Sequence, residues 1–349
     1  MNATMMAAVL HGAKDLRLET RSRPEAKPGM VLLRCRRVGI CGSDLHYFED
    51  GSCAAFVPDR PFTLGHEVSA EVETVGDGVE TLRVGDRVAV NPARACGVCD
   101  YCRDGRLNLC RKTIMLGSAS TKPPTDGAWA EFVAVRADQC HLLPSGMDDG
   151  LGAMMEPFAV ALHAVRRSRG VAGKRVLVAG GGTIGVLVGL AARAYGAVPV
   201  AVSDIVEARR KNAVSLGLDV ALDPTAQGLR EQVRELTGEG FDVVFEASGA
   251  RSALRQAFDL VRPGGTIVQV GTLGTEDIPL PVNLVMIREI NLVGSMRYGN
   301  VFGEAIRLVA AGRINLKPLI SRVLPFKESV EAIRLAADKS RVLKVQVEI

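Results

Sequence analysis

Two textures divide the chain. Over residues 1 to about 155, short apolar runs alternate with Gly, Pro and Asp turns, as in residues 30–38, 68–75 and 87–90. Short strands bounded by turn residues predict an all-β, barrel-like domain. From about Gly173 the apolar runs become more continuous. K-R-V-L-V-A (174–179), V-P-V-A-V-S (198–203), F-D-V-V-F-E-A (241–247) and G-T-I-V-Q-V (265–270) read as strands. Helical stretches such as I-G-V-L-V-G-L-A-A-R-A-Y (184–195) and V-E-A-R-R-K-N-A-V-S-L (206–216) separate them. β-Branched runs alternating with helices predict an α/β domain, a parallel sheet covered on both faces. After Ile290 strands and helices mix, and residues 342–349 read V-L-K-V-Q-V-E-I. A strand there can return to the first domain, which makes the α/β domain an insertion.

Composition narrows the class. Hydrophobic residues make up 47% of 349, enough for two packed cores and too many for disorder. Net charge is +4, with Lys and Arg dispersed along the chain. No basic stripe or aromatic–basic tract points to nucleic acid. The apolar run near the start, residues 5–10, lacks a basic flank and is too short for a signal or membrane helix. A cytoplasmic protein with no membrane or nucleic-acid partner is expected.

Cys96, Cys99, Cys102 and Cys110 place four thiols within fifteen residues. Thiolates at this spacing fold back around one tetrahedral Zn²⁺, a closed structural site. Two disulfides are the alternative, disfavoured in a reducing compartment. Cys35, Cys53 and Cys140 read as small buried hydrophobes.

Gly180-Gly181-Gly182-Thr183-Ile184-Gly185 matches G-x-G-x-x-G between an expected strand and an expected helix, and Asp204 follows nineteen residues after Gly185. That context predicts a dinucleotide site. Gly180 permits the tight turn, Gly182 lets the backbone approach the pyrophosphate, and Gly185 lets helix and strand pack. The helix start at Thr183 and Ile184 offers free N–H groups to phosphate. Asp204 suits the adenosine ribose hydroxyls and repels a 2′-phosphate, favouring NAD. Asp204 and Glu207 also have the spacing of a helix capping box. Arg209 and Arg210 could take a 2′-phosphate, so NADP use stays open.

A second metal constellation is spread more widely. Cys41, His66, Glu67 and Glu156 combine a thiolate, an imidazole and carboxylates, donors that suit Zn²⁺ with an open position. Taken singly, His66 fits a hydrogen-bonded core histidine, and Glu67 and Glu156 fit surface charges. Glu156, however, lies in A-M-M-E-P-F-A-V-A-L (153–162), where an acid must be paired or metal-bound.

Together these motifs resemble the zinc-dependent medium-chain alcohol dehydrogenase family over the whole chain. The likeness rests on G-I-C-G-S-D-L-H-Y (39–47), L-G-H-E-V (64–68), the cysteine lobe, E-P-F-A-V-A-L-H-A (156–164) and the dinucleotide fingerprint, in that order. Glu156 stands where many members have a cysteine, which points to the polyol branch. Within it the chain is similar to the sorbitol dehydrogenases and, more closely, to the L-idonate 5-dehydrogenases. V-A-V-N-P (88–92), M-L-G-S-A (115–119), D-V-V-F-E-A-S-G (242–249), V-Q-V-G (268–271) and K-V-Q-V (344–347) carry the closer likeness. The resemblance implies a GroES-like catalytic domain over 1–156, completed by 296–349, and a Rossmann NAD-binding domain over 157–295.

It also implies roles. Cys41 and His66 are zinc ligands, and Glu67 and Glu156 share the remaining positions, one directly and one through water. Ser43 takes the substrate proton and His46 passes it toward solvent; Tyr47 could instead face the substrate. Arg297 and Tyr298 lie near the substrate, where Arg297 could pair with a sugar-acid carboxylate, hydrogen-bond a neutral polyol or orient Glu156. Arg209 is adenosine-side, and Val270, Gly271, Thr272, Ser295 and Arg297 flank the nicotinamide. The implied reaction is zinc- and NAD-dependent oxidation of a secondary alcohol, L-idonate ahead of sorbitol or xylitol. L-Threonine dehydrogenase, a zinc-free quinone reductase and a non-catalytic NAD-binding protein are remoter alternatives. The implied assembly is a homodimer or homotetramer joined through residues 283–300. Three departures stand out: Ala70 for a usual glycine, Thr183 for the proline of G-x-G-P-I-G, and Ser120-Thr121-Lys122-Pro123-Pro124 in the pocket-lining stretch.

Overall fold

The computed structural model describes residues 3–338 and 340–349. They form two compact units, one holding the chain through Glu156 together with Phe302–Ile349, the other Pro157–Val301. None of the described helices is long and apolar enough to cross a membrane.

The first unit is built on a seven-stranded sheet. Its order is Cys140–Leu142, Arg87–Val90, Glu67–Val75, Met30–Gly39, Lys344–Glu348 and Ile320–Pro325, with Phe132–Arg136 also pairing to Met30–Gly39. A three-stranded sheet of Asp15–Ser22, Thr4–Gly12 and Phe62–Thr63 packs with it. Val31, Leu33, Val38, Phe62, Leu64, Val68 and Trp129 fill the core between them. The late strand pairs antiparallel with the early one, Gln346 opposite Gly39 and Val347 opposite Val38. Gly65 shows why the turn before His66 is glycine. Its φ is +90°, and a Cβ there would stand 2.6 Å from the Trp129 ring.

The second unit carries a six-stranded, all-parallel sheet. Its order is Val220–Leu222, Val200–Ser203, Val176–Ala179, Phe241–Glu246, Val261–Gln269 and Asn291–Gly294. In chain order this is 3-2-1-4-5-6, the doubly wound arrangement whose ligand crevice lies at the strand carboxyl ends. Residues 241–247 and 265–270 form the strands their patterns predict. The short edge strands Val220–Leu222 and Asn291–Gly294 carry too few residues for periodicity to expose them.

Asp242 anchors two strands of this sheet. Its carboxylate accepts from Arg175 Nε at 2.8 Å and lies close against Arg262 Nε. Burial opposes its ionisation, but the Arg175 and Arg262 bonds outweigh burial and hold the carboxyl well below the usual range. A depressed carboxylate contributes stability above its unfolded pKa and loses it as pH falls toward the folded one. The melting temperature is therefore expected to fall steeply below about pH 4, and Asp242→Asn should be less stable at neutral pH with a flatter acid limb. An acid limb unchanged by the substitution would remove Asp242 from that role.

Candidate active site

The metal-type residues converge from four places. Cys41 follows the strand Met30–Gly39 and precedes the helix Gly42–Asp50. His66 and Glu67 open the strand Glu67–Val75, Glu156 is the second residue of the helix Met155–Arg167, and Lys344 begins the strand Lys344–Glu348. Asp44, His66, Glu67, Glu156 and Lys344 are all buried, none more than 5% exposed.

Asp44 organises this core. Its carboxylate accepts from Cys41 N at 2.9 Å and Gly65 N at 3.2 Å, and its Oδ1 lies 3.8 Å from His66 Nδ1. One side chain thus fixes the backbone on both sides of the thiol–imidazole pair, while His66 Nδ1 itself is buried without a hydrogen-bond partner. Sequence reasoning passed over Asp44 and Lys344. The signal for Asp44 was an acid three residues after Cys41, the reach-back half of a helix cap. Lys344 had no local signal, since its partner lies 277 residues away.

Lys344 Nζ donates to Glu67 Oε1 at 2.7 Å, Glu67 Oε2 at 2.8 Å and Ile40 O at 2.9 Å. Cys41, Asp44, Glu67 and Glu156 can carry four negative charges against the two cations of His66 and Lys344. The pKa shifts of His66 and Glu156 follow that excess. Burial pushes the His66 pKa down, but Cys41, Asp44 and Glu156 raise it well above the usual value. Burial is the main force pushing the Glu156 carboxyl up to about 7, opposed by His66 and reinforced by Glu67. A divalent cation would relieve this imbalance, and a thiolate–imidazole–carboxylate donor set suits zinc. The residues therefore fit a catalytic zinc.

The four-cysteine lobe is more tightly drawn. Among the described residues it is the only group of three or more His, Cys, Asp or Glu whose ligand atoms all lie within 4.8 Å of one another. Cys41, His66, Glu67 and Glu156 stand more loosely, with Glu67 turned to Lys344. In the lobe, Cys99 Sγ is 3.5 Å and Cys96 Sγ 3.9 Å from Cys102 Sγ, close to the ~3.8 Å edge of a tetrahedron with ~2.3 Å bonds. These separations are too long for disulfides, and all eight cysteines are free thiols. Burial opposes ionisation of Cys110, but N–H donors from Cys96 and Lys112 overcome it and bring the thiol down to about 6. Of the remaining cysteines, Cys35 is buried, whereas Cys53 and Cys140 are partly exposed.

Ser43 is partly buried near the helix start, and His46 is exposed, its Nδ1 3.1 Å from Asp50 Oδ2. Tyr47 corrects an expectation. It turns into the core, 2% exposed, edge-on to Phe62, with its hydroxyl accepting from Ala119 N at 3.0 Å. Periodicity explains this, because Tyr47 shares the inward face of its helix with Asp44.

In the second unit the fingerprint forms as its spacing predicts. Gly182 caps the helix Thr183–Ala194, so Thr183 takes the first helical position that proline usually fills. A Cβ on Gly185 would overlap Gly180 O, which leaves glycine as the fit. Asp204 accepts from Gly181 N and Val206 N, each at 2.8 Å, and lies 3.5 Å from Arg209 Nη1. The capping-box alternative is not formed: the helix Glu207–Ser215 is capped by Val206, and the Asp204 carboxylate accepts one backbone N–H on each oxygen. Beside it opens a cavity of about 320 Å³, lined by Gly180, Asp204, Arg209, Thr225, Ser248 and Gln256 among others. Val270, Gly271 and Ser295 are partly exposed and Thr272 exposed, while Tyr298 is 3% exposed. Arg297 adopts φ +53°, a left-handed strain that a non-glycine residue holds only where its surroundings enforce it.

A 3-2-1-4-5-6 sheet with this fingerprint, joined to a β unit bearing a four-thiol lobe and a buried thiol–imidazole–carboxylate cluster, defines a metal- and dinucleotide-dependent oxidoreductase. Comparison with known proteins gives the family. The alcohol dehydrogenase GroES-like domain family matches residues 27–145, and the zinc-binding dehydrogenase family matches residues 183–311. Sorbitol dehydrogenase of Bacillus subtilis is 35% identical over 98% of this chain and 97% of its own. A probable D-xylulose reductase A of Aspergillus terreus is 38% identical over 96% of this chain and 95% of its own. The crystal structure of L-idonate 5-dehydrogenase from Escherichia coli superposes with a TM-score of 0.94 at 34% identity, covering 100% of this chain and 99% of its own. The chain belongs to the zinc-dependent medium-chain alcohol dehydrogenase family, in its polyol-dehydrogenase-like branch. It is a zinc- and NAD(P)-dependent oxidoreductase.

Proposed function

We propose that this enzyme oxidises a secondary alcohol of a sugar acid, L-idonate, to 5-keto-gluconate with NAD⁺ as acceptor. The full-length likeness to L-idonate 5-dehydrogenase is the observation that carries the sugar-acid reading. Arg297 would supply the guanidinium that pairs bidentately with the carboxylate. A neutral polyol such as sorbitol or xylitol is the second reading, favoured by the sorbitol dehydrogenase and xylulose reductase relatives.

In this reading Cys41 and His66 hold the catalytic zinc, with Glu67 and Glu156 sharing the remaining positions, and Cys96, Cys99, Cys102 and Cys110 hold the structural one. Bound zinc supplies Lewis acidity at the alcohol oxygen, and bound nicotinamide accepts the hydride. Asp44 holds the Cys41 and Gly65 backbone in place. Ser43, then a ribose hydroxyl of the bound coenzyme, then exposed His46, paired with Asp50, would pass the substrate proton outward to solvent. Asp204 and Arg209 take the adenosine ribose. An exposed apolar row of Val282, Met286, Ile287 and Met296 beside the edge strand Asn291–Gly294 supports a homodimer or homotetramer.

NADH formation with L-idonate, D-gluconate, D-sorbitol, xylitol and L-threonine tests the substrate. A strong rate with L-idonate and little with sorbitol is expected; the reverse establishes the neutral polyol reading, and no rate with zinc-loaded enzyme overturns both. Coenzyme choice has its own test. Asp204→Ala removes the negative charge and frees Arg209 to meet a 2′-phosphate. The NADP⁺/NAD⁺ ratio of kcat/KM should rise at least about tenfold, ~1.4 kcal/mol. An unchanged ratio leaves Asp204 with only its bonds to Gly181 and Val206.

A further inference from the structure

Glu246 ends the strand Phe241–Glu246 and is completely buried. Neither metal site uses it. Its Oε1 accepts from Ser248 N at 2.8 Å, Gly249 N at 3.0 Å and the Ser248 hydroxyl. Its Oε2 accepts from Gln269 Nε2 at 2.6 Å, and that nitrogen also donates to Gly271 O at 2.7 Å. The Glu246 carbonyl takes the N–H groups of Val270 and Gly271, at 2.8 and 2.9 Å. A single residue thus fastens two loops at the carboxyl end of the sheet.

Both loops face coenzyme-type surface. Ser248 and Ala250 line the cavity beside Asp204. Val270, Gly271 and Thr272 are the segment assigned above to the nicotinamide side. The loops also touch. A Cβ on Gly271 would overlap Gly249 N, and one on Gly249 would stand 2.6 Å from Thr272 O. Ser248 in turn backs onto the fingerprint turn, its N 2.8 Å from where a Gly180 Cβ would lie. Three strand ends are therefore held in register through the Ser248–Gly249 turn.

The chemistry requires a carboxylate. Ser248 and Gly249 present three donors to one oxygen, and Gln269 presents a fourth to the other. The Gln269 amide has only one workable orientation, because its nitrogen faces two acceptors, Glu246 Oε2 and Gly271 O. Its Oε1 is left buried without a hydrogen-bond partner, so flipping the amide would exchange one orphan for several.

We infer that Glu246 is a positioning residue for the dinucleotide, its carboxylate setting the adenosine-side turn and the nicotinamide-side segment at a fixed spacing. This rests on the coenzyme assignment of the Asp204 cavity and of residues 270–272. The substitution Glu246→Gln separates the two ends. Its carbonyl oxygen keeps the Ser248 and Gly249 bonds, while its NH₂ meets Gln269 Nε2 donor to donor. Rotating Gln269 relieves that clash only by releasing Gly271 O. The adenosine-side turn is retained, and residues 270–272 keep their backbone bonds to Glu246 O but lose the side-chain tie at Gly271 O.

The test uses the full-length protein and measures binding as well as turnover. In Glu246→Gln, ADP-ribose affinity by calorimetry should stay within about threefold of wild type, while NADH affinity by fluorescence titration falls at least ~10-fold. Gln269→Met, which removes the tie to Gly271 and the donor to Glu246 Oε2 but leaves the Ser248 and Gly249 donors on Oε1, should show the same split. Wild-type NADH affinity in Glu246→Gln overturns the inference, as does equal loss of both ligands in a folded variant. If Glu246→Gln does not fold, unchanged NADH affinity in Gln269→Met overturns it and the split sustains it. A wild-type protein that binds neither ligand overturns the coenzyme assignment itself, a result distinct from any change confined to the variants.

Discussion

Cys41→Ala is expected to lower turnover at least ~1000-fold while leaving NADH binding and folding close to wild type. Lewis-acid stabilisation by a bound metal is worth several kcal/mol in the transition state, and each ~1.4 kcal/mol is tenfold in rate. The thiol lies at the cap of the helix Gly42–Asp50, where the Asp44 carboxylate holds Cys41 N at 2.9 Å whether or not the sulfur is present. Removing the sulfur therefore deletes a ligand without unfastening the helix. Metal content should fall from about two zinc ions per chain to about one, because the four-cysteine lobe is untouched. The coenzyme cavity belongs to the other compact unit, so NADH affinity is the internal control. Retained turnover, or two zinc ions still bound, would exclude Cys41 as an essential ligand.

Lys344→Met is expected to be the most destabilising single change in the catalytic unit. The lysine satisfies both Glu67 oxygens and the Ile40 carbonyl, and both charged side chains are almost fully buried, 4% and 1% exposed. Truncating one member of a buried ion pair leaves the other charge without compensation, about 3–5 kcal/mol. In a protein of this size that is a melting shift of roughly 6–20 °C. Burial works to lower the Lys344 pKa, but Glu67 and Cys41 raise it. A raised cation contributes fully below its unfolded value, ~10.4, and loses the contribution only as pH climbs through the folded one. Differential scanning calorimetry at neutral pH therefore reads the whole effect. The double substitution Lys344→Met with Glu67→Gln should recover most of the loss, since no buried charge is then stranded. A single variant within about 2 °C of wild type would show that Glu67 does not depend on Lys344.

Much of this architecture is legible in the amino-acid order, for physical reasons that also explain the failures. Residues 174–179, 198–203 and 241–247 announce parallel strands because both faces are buried and the β-branched run is unbroken. The fingerprint is legible because Gly180 and Gly185 answer to steric demands that no other side chain meets. The cysteine lobe is legible because its ligands lie within one short segment. What escaped notice depends on contacts made at a distance. Asp204 has the spacing of a helix cap, yet its carboxylate reaches back to Gly181, and no local pattern encodes that choice. Tyr47 sits beside the relay residues in sequence, but the helix turns it inward. Lys344 belongs to an apolar terminal strand, and only the pairing of that strand with Met30–Gly39 brings it to Glu67. Glu246 is one residue within a motif that marks the family, and its function appears only when the loops after two strands are seen folded over it.

The strand Lys344–Glu348 sits between Met30–Gly39 and Ile320–Pro325. During synthesis Val38 and Gly39 must wait for Val347 and Gln346 to be made. Residues 157–301 can condense while still attached to the ribosome, since their sheet is complete once residue 294 has emerged. Glu67 has no such opportunity: its counter-charge is still to be translated. A product without the strand Lys344–Glu348 would leave Met30–Gly39 and Ile320–Pro325 without their shared neighbour and Glu67 as an uncompensated acid beside the metal-type residues. The counter-charge of Glu67 thus arrives only with residue 344, after the sheet of the nucleotide-binding unit has been completed.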